Sequence, residues 1–297
     1  MDVGRRVAVV TGGASGIGRS LCLALARRDA AAVVVADVDA GGAAKVADEI
    51  EAGGRRALAV TADVGNAADA EALVARAEDT FGRVDLLFSN AGIVVTGGLD
   101  IPDEAWARTW AINVQSHVWI TRAVLPGMLA RGEGYLVYTA SAAGLLTELG
   151  SASYSVTKHA VVALAEWLSI TYADQGIRVS CLCPQLVSTN LGTTSQRLLG
   201  AGAGPAADDP GAGAPPAADG NGAGALSAAN GIGAAQAAVD GVLTPDQVAA
   251  FVIETMADER FLILPHPEVA TYERRRADDR ERWLRGMRRL LARLSAG

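Results

Sequence analysis

Short apolar runs rich in β-branched side chains recur from Val7 to Cys183, and the segments between them change to helical spacing. Val7–Val10, Ala32–Ala36, Arg56–Val60, Val84–Phe88, Leu136–Thr139 and Ile177–Cys183 read as strands. Arg19–Arg28, Lys45–Ala52, Ala67–Phe81, two stretches within Pro102–Leu129, and a segment carrying Tyr154 and running to about Asp174 read as helices. Strands that are apolar along their whole length suit a parallel sheet covered on both faces, with right-handed helical crossovers. The alternation therefore predicts an α/β fold over residues 1–297: a single doubly wound parallel sheet flanked by helices.

The rhythm stops near Gly200. From 200 to 241 the composition shifts to Gly, Ala, Pro, Asp and Asn, without a lysine or arginine, and neither period survives. Such a segment has too little apolar surface to offset the entropy of ordering, so a flexible insertion or a lid is expected. Thr244-Pro245-Asp246-Gln247 then supplies a helix start, with Thr as cap, Pro in the first turn and Gln closing a capping box. Phe261–Leu264 reads as a last short strand. Over 272–297, Trp283, Leu284, Met287, Leu290 and Leu291 recur near helical spacing among arginines. Basic amphipathic helices bind membranes, but Asp278, Asp279 and Glu281 dilute this one. Packing on the body of the protein or on another subunit is expected instead.

Composition narrows the function classes. A net charge of -7 and a pI near 5.1 give no electrostatic reason to expect nucleic acid as a partner. No apolar run reaches the ~18 residues of a membrane span, and Val7–Val10 runs into a glycine-rich turn rather than a signal-peptide core. A soluble, cytoplasmic protein is the expectation. Cys22, Cys181 and Cys183 are too few for a disulfide framework, and His117, His159 and His266 are scattered, so no metal site is expected. The cysteines read as small buried apolar residues.

Chemistry concentrates at two places. Gly12, Gly16 and Gly18 lie between the first strand and its helix, where backbone donors and a helix N-terminus can meet a pyrophosphate. Asp37 ends the second strand, about 20 residues on, where a carboxylate accepts adenosine ribose hydroxyls and repels a 2′-phosphate. Neither Val38 nor Ser15 offers a positive charge, so the expected cofactor is NAD rather than NADP. The second place is Tyr154 and Lys158, which share one face of a helix at i and i+4. An ammonium beside a phenol favours the phenolate, which suits Tyr154 to general acid/base work. Only Lys45 and Lys158 are lysines among 26 cationic residues, and arginine could not respond in the same way.

Thr11-Gly12-Gly13-Ala14-Ser15-Gly16-Ile17-Gly18, Asp63-Val64, Asn90-Ala91-Gly92, Asn113, Ser141, Tyr154-Ser155-Val156-Thr157-Lys158, and Pro184 with Thr189 follow one another as in the short-chain dehydrogenase/reductase family. The chain resembles that family over roughly residues 5 to 192. The resemblance implies a Rossmann-type fold in which Ser141 hydrogen-bonds the substrate oxygen and Tyr154 exchanges its proton. Lys158 would bind the nicotinamide ribose and lower the Tyr154 pKa, while Asn113 would hold a water that continues the proton relay. Asp63 and Val64 would contact adenine, and Asn90 and Gly92 would line the cofactor. Thr189 would bind its carboxamide, and Ser15, Ile17, Ala91, Pro184 and Val187 would complete the cofactor site. Dimers or tetramers through the helices carrying Asn113 and Tyr154 are implied in the same way.

Two features depart from the family pattern. Gln185 follows Pro184 where glycine is usual, and an arginine-rich helix replaces the glycine-rich ending. The expected function is oxidoreduction of a secondary alcohol and its ketone. Val94, Val95, Ala142, Leu145, Leu146, Leu186 and Leu191 are the pocket candidates, and their apolar character points to a hydrophobic small-molecule substrate. The alternative is a non-catalytic regulator that binds NAD(H).

Overall fold

The computed structural model describes residues 2–199 and 240–294. The insertion read over 200–241 lies outside the described residues, apart from Asp240 and Gly241. Seven strands form one parallel sheet in the order β3-β2-β1-β4-β5-β6-β7. They are β1 (Val7–Thr11), β2 (Ala32–Asp37), β3 (Ala57–Thr61), β4 (Leu86–Ser89), β5 (Gly134–Thr139), β6 (Ile177–Leu182) and β7 (Leu262–Ile263). The order reverses between β1 and β4, which opens a crevice at their carboxyl ends. The expected doubly wound α/β architecture is the one observed.

Alternate strand residues point to opposite faces, and both faces are buried, which explains the unbroken apolar runs. Val9, Val34, Leu87 and Leu136 face one core, with α3 (Ala67–Phe81), α5 (Ser116–Arg131) and α7 (Ala152–Tyr172) over them. Val10, Val35, Phe88 and Val137 face the other, beneath α1 (Gly16–Arg27), α2 (Ala40–Ala52) and the helix Pro245–Ala257.

Several local details were not visible as periodicity. α2 begins ahead of Lys45 because Asp39 caps it, accepting a hydrogen bond from Gly42 N at 3.0 Å. α4 (Asp103–Trp110) continues into α5 through a π-helical segment, Ala111–Gln115, that carries Asn113. Two short helices, α6 (Ala143–Leu146) and α8 (Leu191–Leu199), flank the crevice. The expected C-terminal helix is two helices, α10 (Glu268–Asp278) and α11 (Arg280–Leu294). Asp279 divides them: its backbone is extended, and its Oδ1 accepts from Arg282 N at 2.8 Å as a cap.

The helix that leads into β7, α9 (Pro245–Ala257), opens with the expected capping box. Thr244 Oγ1 accepts from Gln247 N at 3.2 Å, and Gln247 Oε1 accepts from Thr244 N at 2.8 Å. Its buried Val248, Ala249, Val252, Ile253 and Met256 belong to the same core as the inner face of α1. Ser20 of α1 donates to Asp246 Oδ1 at 2.6 Å. Thr244→Ala removes the cap, at a cost of about 1 kcal/mol. A calorimetric melting temperature about 2–4 °C lower is expected, and an unchanged one would show that the cap contributes nothing.

Candidate active site

The carboxyl ends of the central strands open into a cavity of about 990 Å³. The β1–α1 turn forms one wall. Gly12 and Gly16 have φ of +66° and +52°, in the left-handed region that glycine tolerates. Gly12, Ser15, Gly16 and Ile17 line the cavity, at the N-terminus of α1. Gly18 does not line it but lies beneath, where a Cβ would run into the Gly12 carbonyl and crowd the Asn90 amide. Asp37 is fixed beside this turn: Oδ2 accepts from Ala14 N and Oδ1 from Asp39 N, each at 3.0 Å. Asp63 lines the same end with Val64, its carboxylate accepting from Arg108 Nη2 at 2.8 Å and Gly65 N at 2.9 Å.

Side chains tie the strand ends together. Thr11 Oγ1 accepts from the backbone N–H groups of Asn90 and Ala91 at 2.9 and 3.0 Å. Asn90 Nδ2 donates to Thr11 O at 3.0 Å, and its Oδ1 accepts from Thr139 Oγ1 at 3.1 Å. Asn90, Ala91 and Gly92 all line the cavity. Asn113 is wholly buried and does not. Its Oδ1 accepts from Ile93 N at 2.8 Å, and its Nδ2 donates to Ile93 O at 2.8 Å and Thr157 Oγ1 at 3.1 Å. That side chain clamps the loop after β4 to α7.

Ser141, Tyr154 and Lys158 meet deeper in. Ser141 follows β5; its Oγ accepts from Ala143 N at 3.1 Å and donates to Pro184 O at 3.4 Å. Tyr154 and Lys158 sit in the first two turns of α7, as their spacing required, and Lys158 Nζ is 5.5 Å from the centre of the Tyr154 ring. The surroundings do not produce the expected depression of the phenol. Burial pushes Tyr154 up, the charge of Glu148 adds to this, and a hydrogen bond to Ser141 only partly opposes it. Lys158 is itself pushed down to about 8 by burial, and its Nζ donates to Thr139 O at 2.8 Å.

A glycine turn, a carboxylate at the end of β2 and a tyrosine–lysine pair on a helix across one cavity form a combination that can be compared with known proteins. Residues 6–198 match the family model described as short chain dehydrogenase. The chain belongs to the short-chain dehydrogenase family. It is 38% identical over 215 residues to 1-deoxy-11-beta-hydroxypentalenate dehydrogenase of Streptomyces exfoliatus, covering 70% of this chain and 78% of that protein. It is also 38% identical over 188 residues to cyclohexanol dehydrogenase of an Acinetobacter species, covering 63% and 74%. A short-chain dehydrogenase/reductase from Burkholderia phymatum, solved in complex with NAD, superposes with a TM-score of 0.80 at 32% identity, covering 95% of this chain and 96% of that one. The chain is therefore an oxidoreductase of this family.

This short-chain dehydrogenase differs from the sequence reading mainly in the roof of its cavity. Pro184, Val187 and Thr189, from the loop after β6, line it, and a Cβ on Gly16 would touch Thr189. Gln185, the departure in that loop, anchors it outward. Its N–H donates to His266 Nδ1 and its Nε2 to Asp240 Oδ2, both at 3.2 Å, while Tyr272 Oη donates to Asp240 Oδ1 at 2.9 Å. Trp283, Met287 and Leu290 of α11 reach into the same cavity. Their helical spacing marked an apolar face, but spacing carries no information about the surface it covers. Glu148, Asp240, Tyr272 and Arg275 also line the site without any local signal. Of the apolar pocket candidates, Val95 and Leu145 are buried away from the cavity, while Val94, Ala142, Leu146, Leu186 and Leu191 line it.

Beneath the site His117 is fully buried, its Nδ1 2.6 Å from Ser89 Oγ. Burial first, and then the charge of Lys158, pull its pKa from 6.5 to about 3. The folded protein thus binds one proton fewer than the unfolded chain between those values. The stability is complete above the unfolded pKa and is lost as pH falls toward the folded one, by up to about 1.4 kcal/mol per pH unit. Urea midpoints should fall between pH 7 and 5 in the wild type, and less steeply in His117→Gln. Parallel pH slopes would contradict this account.

Proposed function

We propose that this chain is an NAD-dependent oxidoreductase that interconverts a hydrophobic secondary alcohol and its ketone, with Tyr154 as general acid/base. The observation that carries this reading is the continuity of the cavity. Asp37 and the glycine turn stand at one end, Ser141, Tyr154 and Lys158 at the other, and apolar side chains cover the second end. The names of the relatives, a cyclohexanol and a hydroxypentalenate dehydrogenase, support the same substrate class.

The residues fit a dinucleotide. Glycines at 12 and 16 let backbone amides approach a pyrophosphate, and a Cβ on Gly92 would crowd Lys158 Nζ. Asp37 serves the ribose hydroxyls and disfavours a 2′-phosphate, with the neutral Val38 and Ser15 beside it. Asp63 and Val64 border the adenine, Ser15, Ile17, Asn90, Ala91 and Gly92 the ribose-phosphates, and Pro184, Val187 and Thr189 the nicotinamide. When bound, the cofactor supplies the hydride acceptor or donor. Ser141 orients the substrate oxygen. Tyr154 takes the hydroxyl proton during oxidation and returns it during reduction, with Lys158 holding the nicotinamide ribose beside it. Asn113, its side chain fixed by Ile93 and Thr157, would hold a water that continues the proton relay. Because burial raises the Tyr154 pKa, oxidation should accelerate with rising pH.

A panel of secondary alcohols and ketones, each with NAD and with NADP, tests the assignment. Turnover with NAD is expected, and Tyr154→Phe should lower kcat by about 10²–10⁴ while NAD still binds by fluorescence titration. Better turnover with NADP would remove the role given to Asp37. NAD binding without any turnover would favour the regulator.

The chain is further proposed to form a homodimer or homotetramer. Trp110 of α4 and Val156, Trp167 and Ile170 of α7 are exposed, Ile170 at 83%, on the helices that the family resemblance implicates. Light scattering should give a multiple of the 30.4 kDa chain mass, reduced by Ile170→Glu. A monomeric wild type would end this proposal.

A further inference from the structure

Glu148 lies in the turn between α6 and α7 and lines the cavity together with Ser141 and Tyr154. The chain enters this turn through Thr147, whose φ of +74° is one a β-branched residue adopts only where its surroundings impose it. The surroundings do impose it. Ser155 Oγ accepts from Glu148 N at 2.9 Å and donates to Glu148 O at 3.1 Å, which pins the Glu148 backbone to α7 one residue from Tyr154. On the other side Gly150 O accepts from Gly97 N at 2.8 Å, and Ser151 Oγ donates to Val95 O at 2.5 Å. The turn is held at both ends, and the residue it presents to the cavity is a carboxylic acid.

The carboxyl of Glu148 is unmatched among the described residues. Among the described residues its carboxyl takes part in no ion pair and no hydrogen bond. Leu146 and Leu149 line the cavity beside it, and Trp283, Met287 and Leu290 line it from α11. In these apolar surroundings burial pushes the carboxyl up to about 7, and its charge is felt at the Tyr154 phenol. A carboxyl retained for stability would be paired; one held unpaired at the edge of the reacting position is matched to something that enters the cavity.

We propose that Glu148 is a specificity-determining residue that accepts a hydrogen bond from a second donor group of the substrate, a hydroxyl or an ammonium, beside the carbinol being oxidised. The inference rests on the dehydrogenase reading and deepens it: the substrate is amphipathic, apolar toward α11 and carrying a donor toward the α6–α7 turn. A substrate without that donor leaves a half-buried carboxyl desolvated and unmatched, which is the condition under which enzymes discriminate strongly.

The test compares kcat/KM with NAD for cyclohexanol, the cyclohexane-1,2-, 1,3- and 1,4-diols, and 3- and 4-aminocyclohexanol. In the wild type at least one donor-bearing probe should exceed cyclohexanol by about tenfold or more. Glu148→Leu should abolish or invert that preference, with NAD binding and melting temperature reporting that it folds. Glu148→Gln keeps an acceptor without a charge. It should retain part of the preference if the donor is a hydroxyl and lose it if the donor is an ammonium, which distinguishes the two sources even if the leucine variant fails to fold. A wild type that turns over cyclohexanol as well as every donor-bearing probe, or a preference unchanged in the folded variants, would overturn the proposal. Turnover of no alcohol at all, with NAD bound, would overturn the dehydrogenase reading and this inference with it.

Discussion

Asn90 joins three strand ends beyond the backbone ladder, through side-chain hydrogen bonds. Its amide donates to the Thr11 carbonyl while its carbonyl oxygen accepts from Thr139, and Thr11 returns two bonds to the backbone at Asn90 and Ala91. β1, β4 and β5 are thereby locked at the edge where strand order reverses. The glycine turn leaves from β1, the Gly92 loop from β4, and Ser141 follows β5, so the positions of all three depend on this one side-chain junction. Lys158 is referred to the same junction, because its Nζ donates to the carbonyl of Thr139. Buried polar networks of this kind set geometry when every member has a partner, and here Asn90, Ala91, Thr139 and Lys158 line the cavity.

The ionisable groups next to that junction are governed by burial more than by one another. Tyr154 rises, and Lys158 and His117 fall, with desolvation as the leading cause in each case. Lys158 therefore does not act on the phenol as an isolated charge. The charge whose effect on Tyr154 does register is the negative one of Glu148, and it acts in the opposite direction. The pair that shares a helix face is in this way governed first by burial and, at Tyr154, then by a residue outside its helix.

The two departures from the family pattern meet in the structure. Gln185 stands where glycine is usual in the family, and the bonds from its backbone to His266 and from its side chain to Asp240 join the β6 loop to the segment entering α10. Tyr272 completes the connection from α10 itself. The loop carrying Pro184, Val187 and Thr189 and the two C-terminal helices thus belong to one roof, with Trp283 both lining the cavity and packing against the sheet core. The amphipathic C-terminal segment, ambiguous by composition, covers the site.

Much of the fold and part of the candidate site were legible in the sequence, for a common reason. Unbroken apolar runs report strands buried on both faces, a glycine turn reports the backbone it permits, and Tyr154 and Lys158 share a face because helix geometry is local. These are properties of a few neighbouring residues. Tertiary structure alone decided the rest: that the Asn113 side chain clamps a loop, that burial outweighs the lysine at Tyr154, that α11 roofs the cavity, and that Glu148 faces into it without a side-chain partner among the described residues. Each depends on which surfaces meet and how much water they exclude. Desolvation is a property of the assembled environment, and periodicity along the chain cannot encode it.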